Sequence, residues 1–307
     1  MKRKTIRVGT RGSDLALWQA RWVIDRLRDQ HPGFRFRLVE VSTKGDQDRH
    51  IPLHQAGGVG LFVKALEFSL LDREIDLAVH SLKDMPSRVT DGLALAAVPE
   101  RADPRDALIS TSGACLQTLP AGARIGTGSP RRKAQLLAHR PDLEVAGIRG
   151  NVDTRLQKLS GPRYDALVLA AAGLSRLDCQ DVITEMLQPE TMLPAAGQGS
   201  LAVEIRAGDD ETRAVLRSIN HEESWAAAEA ERSFMAHLGA GCHVPAAAYA
   251  VAGHGEIWLR GLVASLDGQT IIRAERRDSW DDGRAVGQAV ADDLLERGAA
   301  PLLEHGA

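Results

Sequence analysis

The chain has 307 residues, of which 44% are hydrophobic and 26% charged, enough for two or three globular domains and too apolar for a disordered protein. Its formal net charge of -3 speaks against a generic nucleic-acid binder, which carries a basic excess over the domain, so any anion site has to be local. Cys115, Cys179 and Cys242 are widely spaced and form no Cys-x-x-Cys pair, and reduced thiols fit a cytosolic compartment. The basic first residues run into an apolar stretch too short for a signal peptide, and no segment reaches the roughly 20 apolar residues of a membrane span. A cytoplasmic protein with no membrane partner is expected.

Ile6 to Val8 reads as a strand. It leads through Gly9-Thr10-Arg11-Gly12-Ser13 into a helix whose apolar residues Leu15, Leu17, Trp18, Val23, Ile24 and Leu27 recur at helical spacing. Ser13 suits the N-cap, and His31-Pro32-Gly33 ends the helix. A strand over residues 36–41 follows, then the loop beginning Ser42-Thr43-Lys44-Gly45-Asp46, a helix near residues 61–72 and a strand over 75–79. The order then recurs. Arg124-Ile125-Gly126-Thr127-Gly128-Ser129 repeats the strand and Gly-Thr turn, with Ser129 as N-cap and Pro130 at the first helical position, where its missing N–H costs nothing. A strand over 143–148, a helix over 151–159 and a strand over 164–169 complete a second α/β unit of the same plan.

Helices alternating with strands favour mostly parallel sheets, whose ligands sit at the carboxyl ends of the strands. Each unit offers a helix N-terminus after its Gly-Thr turn, where free N–H groups and the macrodipole attract an anion. A cleft between two such units would hold an elongated anionic ligand. Beyond the strand at residues 201–205 the pattern changes: a helix over 222–238, the loop Gly239-Ala240-Gly241-Cys242, strands over 246–251, 256–264 and 270–275 with a turn at Asp267-Gly268, and a last helix over 282–297. The expected fold is α/β, two similar doubly wound domains plus a small C-terminal α+β domain with a three-stranded antiparallel sheet. The expected boundaries are 1–99 with 200–217, 100–199, and 218–307.

Arg131, Arg132, Arg149 and Arg155 lie at or beside helix starts of the second unit, joined by Arg11 and Lys83 from the first. Guanidinium forks at such turns suit carboxylates or phosphates, although each arginine alone also fits an ordinary solvated basic face. Asp84 emerges after Val79-His80-Ser81-Leu82-Lys83, either as a reactive carboxylate at a strand end or as a turn-former before Met85-Pro86. An ionised carboxylate there stabilises cationic species and relays protons. Cys242, in a Gly-flanked loop, reads as an accessible thiol rather than the buried structural one usual for a lone cysteine. Its spacing to His237, His243 and His254 matches no standard metal site, and no metal is expected.

These segments resemble the characteristic stretches of the porphobilinogen deaminase family: Gly9-Thr10-Arg11 with Ser13 and Leu15 to Gln19; Thr43 to Asp46; Gly60 to Lys64; Ala78 to Asp84; Ser129 with Arg131-Arg132; Arg149 to Arg155; Ala170 to Leu174; Leu193 to Gly199; and Gly241-Cys242. Any one of them alone would be a weak signal, whereas the ordered series is specific. The resemblance implies three domains, the first two similar to type II periplasmic binding proteins. It further implies a cytoplasmic, monomeric transferase of porphyrin (heme, tetrapyrrole) biosynthesis that joins four porphobilinogen molecules head to tail into hydroxymethylbilane, releasing four ammonia molecules. The primer is a dipyrromethane cofactor held by a thioether, which maps onto Cys242. By the same carry-over Asp84 is catalytic. Ser13, Lys83, Asp84, Thr127, Ser129, Arg131 and Arg132 contact the cofactor, and Arg11, Arg149, Arg155, Arg176, Gln19 and Ser81 the substrate.

This assignment agrees with the chemistry of the residues, since a growing chain of acetate and propionate groups needs fixed cations inside a cleft. Some positions depart from the family pattern: Gly12 and Asp14 around Ser13, Gly128 and Pro130 around Ser129, and His243 after the cysteine. Two other readings compete. A non-catalytic anionic solute-binding protein would need the same two α/β units; a nucleic-acid binder using Arg131-Arg132-Lys133 is disfavoured by net charge and by an aromatic content of 4%, and no nucleic-acid partner is expected.

Overall fold

The computed structural model describes residues 4–41, 60–241 and 244–304. The chain forms two compact units, Met1–Arg101 with Ser200–Trp225, and Ala102–Gly199 with Ala226–Ala307.

The first unit is built on a five-stranded sheet. Its strands are β1 (Lys4–Thr10), β2 (Phe34–Glu40), β3 (Leu77–Ser81), β4 (Leu93–Ala97) and β10 (Leu201–Arg206), in the order β2-β1-β3-β10-β4. β1 pairs in parallel with β2 and β3, while β10 runs antiparallel to β3 and β4. Helix α1 (Asp14–Gln30) lays Ala20, Val23, Ile24 and Leu27 against Ile6, Val8, Leu77, Val79 and Val203, forming one apolar layer. Helix α2 (Gly60–Leu71) covers the opposite face with Leu66 and Leu70, which pack with Ile75, Ala78 and Leu93. Sheet faces covered on both sides explain why the middle strands read as continuous apolar runs rather than alternations.

The second unit repeats this plan. Strands β5 (Asp106–Ser110), β6 (Arg124–Gly126), β7 (Glu144–Ala146), β8 (Ala166–Ala170) and β9 (Glu185–Leu187) lie in the order β7-β6-β8-β5-β9, with β6 parallel to β7 and β8, and β5 antiparallel to β8 and β9. Helices α3 (Pro130–His139), α4 (Val152–Leu159) and α5 (Ala171–Arg176) flank the sheet. The two Gly-Thr turns have a common steric origin. A Cβ on Gly9 would meet Ile75 Cδ1 at 2.3 Å, and one on Gly126 would meet Leu167 Cδ2 at 2.6 Å, so each turn packs directly on a side chain of or beside the neighbouring strand.

Helices α6 (Asp210–Leu216) and α7 (Glu222–His237) lead to β11 (Ala246–Gly253), β12 (Glu256–Ala264) and β13 (Ile271–Ser279), a wholly antiparallel sheet. Its inner face, with Ala248, Ala250, Ile257, Leu259, Val263 and Ala274, packs on Phe234 of α7 and on Val286, Val290 and Leu294 of α8 (Gly283–Glu296). A short helix, α9 (Ala300–Glu304), ends the described chain.

The α/β fold class and the three-stranded antiparallel sheet are as expected. The sheets are mostly parallel as expected, four of the five strands in each running the same way, but one strand in each, β10 or β5, is reversed. The reversed strand, β10 or β5, follows a strand of the other unit, so no crossover helix of its own unit forces it parallel. No helix among the described residues is long and apolar enough to cross a membrane.

Candidate active site

In the first unit the site residues cluster at the carboxyl ends of β1 and β3. Ser13 caps α1, its Oγ accepting the Ala16 N–H at 3.4 Å, and Thr10 Oγ1 donates to the Ala16 carbonyl at 2.9 Å, so the turn carrying Arg11 is tied to the helix it precedes. A Cβ at position 12 would meet only the end of the exposed Glu40 side chain, which can move aside. Asp84 and Lys83 occupy a single 3-10 turn, Leu82–Asp84, directly after β3; both are half-buried, and the turn is pinned by buried Leu82 beneath it. Gln19 and Ser81 meet: Gln19 Nε2 donates to Ser81 Oγ at 2.9 Å, fixing α1 to the end of β3.

In the second unit Ser129 caps α3, accepting the Arg132 N–H at 3.4 Å, with Pro130 at the helix start. Thr127 is buried, and its Oγ1 accepts the Ser129 N–H at 3.2 Å. A Cβ at Gly128 would lie 3.0 Å from the Ile148 carbonyl oxygen, so the turn is crowded where the family pattern has serine. Arg155 lies on α4, whose cap is Asn151, and donates from Nε to the Gly150 carbonyl at 2.8 Å; Arg149 is exposed at the preceding turn. Arg176, the last residue of α5, is 9% exposed and donates to the Gly199 carbonyl at 2.6 Å; burial brings it down to about 10.

Arg131 and Arg132 do not stand on a solvated face. They are 4% and 6% exposed and share Asp106, which is wholly buried at the start of β5. Arg132 donates to Asp106 Oδ1 from Nη2 at 2.7 Å and from Nε at 2.9 Å, and Arg131 Nη2 lies 2.8 Å from Oδ2. Burial pushes the Asp106 carboxyl up, but the charges of Arg131 and Arg132 and the hydrogen bonds from Gln198 and Arg132 outweigh it and hold Asp106 at about 2. Burial lowers Arg131, Arg132 adds to that, and Asp106 opposes it. Two cations on one anion leave the trio one positive charge in excess, which is chemistry for an anionic ligand.

Sequence reading missed Asp106. Its signal is a carboxylate opening the apolar run Ala107-Leu108-Ile109, where an unpaired charge would be untenable. Cys242, His243 and the loop from Ser42 to Val59 lie outside the described residues. Of the other histidines weighed as metal ligands, His237 contacts Asp292 through Nε2 at 2.6 Å, and no group of three or more His, Cys, Asp or Glu suited to a metal ion occurs among the described residues.

Comparison with known proteins decides between the readings. The family model described as porphobilinogen deaminase, dipyromethane cofactor binding domain, matches residues 6–214, and that of the porphobilinogen deaminase C-terminal domain matches residues 225–296. The chain belongs to the porphobilinogen deaminase family. Porphobilinogen deaminase of Bacillus pumilus (strain SAFR-032) is 48% identical over 303 residues, covering 98% of this chain and 97% of the relative. Porphobilinogen deaminases are transferases, and the chain is an enzyme of this class with a dipyrromethane cofactor rather than a solute-binding protein. Similar solved structures include a YaeC-family lipoprotein of Enterococcus faecalis V583 (13% identity, 72% of this chain and 93% of that one, TM-score 0.41) and a Salmonella typhimurium periplasmic binding protein (12% identity, 70% and 92%, TM-score 0.41).

Proposed function

We propose that this chain makes hydroxymethylbilane by joining four porphobilinogen molecules head to tail with loss of four ammonia molecules, and that the residues gathered at its strand ends divide the work as follows. The observation that carries the reading beyond family membership is the buried Arg131-Arg132-Asp106 trio, whose excess positive charge suits a ligand bearing several carboxylates. A dipyrromethane has that chemistry: its acetate and propionate groups match guanidinium forks and the hydroxyls of Ser13, Thr127 and Ser129. When bound, it supplies the nucleophilic pyrrole carbon from which the product is extended.

Cys242 is the residue we assign to its thioether. Ser13, Lys83, Thr127, Ser129, Arg131 and Arg132 would hold its carboxylates, and Arg11, Arg149, Arg155 and Arg176, with Gln19 and Ser81, would hold those of the incoming substrate. Asp84 is the catalytic residue: its carboxylate oxygens accept the pyrrole N–H and stabilise positive charge as the amine departs, and they take up or return a proton there. Fixed guanidiniums cost no reorganisation when the charge develops, and Arg131 and Arg132 are fixed by their place at the start of α3.

The reading includes three domains, residues 1–99 with 200–217, 100–199 and 218–307, supported by the break between the two family models and by the separate antiparallel sheet. It includes a cytoplasmic monomer whose partner is the small molecule alone, without membrane and without nucleic acid, the last supported by the net charge of -3. The test is incubation of the purified chain with porphobilinogen. Four ammonia released per hydroxymethylbilane formed is the expected result, and binding of porphobilinogen without ammonia release refutes it.

A further inference from the structure

Placing two guanidinium groups side by side in a protein interior costs their hydration and their mutual repulsion, and one carboxylate offsets only part of this. Asp106 meets the two arginines on different oxygens, Oδ1 toward Arg132 and Oδ2 toward Arg131. A third group holds it: Gln198 Nε2 donates to Asp106 Oδ1 at 2.9 Å and to the Pro104 carbonyl at 2.7 Å, while Gln198 Oε1 accepts from Arg132 Nη2 at 3.4 Å. An amide adds no charge, so it fixes the carboxylate without neutralising the trio.

The segment carrying Gln198 reaches the other buried arginines as well. The Leu193 carbonyl accepts from Arg131 Nη1 at 2.6 Å, and the Gly199 carbonyl from Arg176 Nη2 at 2.6 Å. This segment is itself anchored at two points. Gln135 of α3, wholly buried, donates to the Leu193 carbonyl at 3.1 Å and accepts the Leu193 N–H at 2.8 Å, and Glu231 of α7 accepts the Gly197 N–H at 2.6 Å. Despite these contacts, Arg131 Nε is buried without a hydrogen-bond partner among the described residues. A buried donor of this kind is costly unless something arrives to accept from it.

We propose that Asp106 and Gln198 are positioning residues of the carboxylate-binding site. They hold Arg131 and Arg132 in one orientation and leave the trio one positive charge in excess, with Arg131 Nε held in reserve for a ligand carboxylate. Neither residue touches the reacting atoms. The proposal rests on the functional reading above, and deepens it by naming what sets the charge and aim of the arginine pair.

The test is full-length Gln198→Met, which keeps the side-chain length and removes both donated hydrogen bonds. Cofactor-free protein is incubated with porphobilinogen over a range of concentrations, and its gain in mass is followed by intact mass spectrometry beside its melting temperature. The expected result is a rise of about tenfold in the half-saturating porphobilinogen concentration for loading, the scale of one hydrogen bond to a charged group, with kcat of the loaded fraction within about threefold of wild type. Gln198→Asn, one methylene short, gives the same reading should the Met variant not fold. Unchanged half-saturation overturns the proposal whether or not the melting temperature falls, because a purely structural glutamine changes stability alone. Wild-type protein that gains no mass overturns instead the functional reading.

Discussion

Asp84 combines half-burial, a fixed 3-10 turn and a strand end, which are the conditions for a carboxylate that acts on a ligand without being locked into the core. Asp84→Ala is expected to lower turnover by about 10²- to 10⁴-fold, the range of a general acid-base group, with an unchanged melting temperature. Ammonia release and differential scanning calorimetry on the same preparation check both halves of that statement. Arg149 is exposed, so Arg149→Ala should leave stability within about 0.5 kcal/mol while slowing cofactor loading or chain growth; wild-type rate and product would refute its role. Asp106 gives a prediction in pH. Its carboxyl is depressed from the ordinary 3.8 to about 2, so the folded state gains stability above the unfolded value and loses it as pH falls from about 4 through about 2. Roughly 2 kcal/mol is at stake, readable as the acid limb of a urea-unfolding series. Arg11, Arg131, Arg132, Arg149 and Arg155 were legible in the sequence from their places at or beside helix starts and turns, and Asp84 from its place after a strand, while Arg176 came from the family resemblance alone. Asp106 was not legible, since its partners lie about 25 residues away on α3, and spacing along the chain carries no trace of that pairing.

At the scale of elements, the caps explain how turn chemistry becomes site geometry. Ser129 sets where α3 begins and thereby where Arg131 and Arg132 leave the backbone. Ser129→Ala should cost about 1 kcal/mol of stability and disorder the start of α3, seen as a lower unfolding midpoint together with slower cofactor loading. Helix α1 was readable from its apolar period and its Ser13 cap, and β12 from its alternation and the turn at Asp267-Gly268. Strand β3 begins two residues later than the pattern suggests, because Ile75 is buried by packing on Leu66 and Leu70 before the ladder starts. Strands β4, β5 and β9 gave no distinct signal. They are short pieces of three to five residues whose pairing depends on strands far away in the chain.

The whole molecule repeats one architectural idea twice: a five-stranded sheet in which a Gly-Thr turn delivers a capped helix, and a reversed strand lies one in from the edge. The recurrence was visible in the sequence as a strand, a Gly-Thr turn and a capping serine in the same order, while the reversed strand was not, because its direction is set by where the chain crosses from one unit to the other. Helix α7 and the antiparallel sheet flank in sequence the loop of Cys242, the residue on which the cofactor assignment turns. The most direct test is the intact mass of purified wild-type protein beside Cys242→Ser. The account predicts a wild-type excess equal to two deaminated porphobilinogen units, absent from the variant. Wild-type protein that keeps its unmodified mass after incubation with porphobilinogen would contradict it.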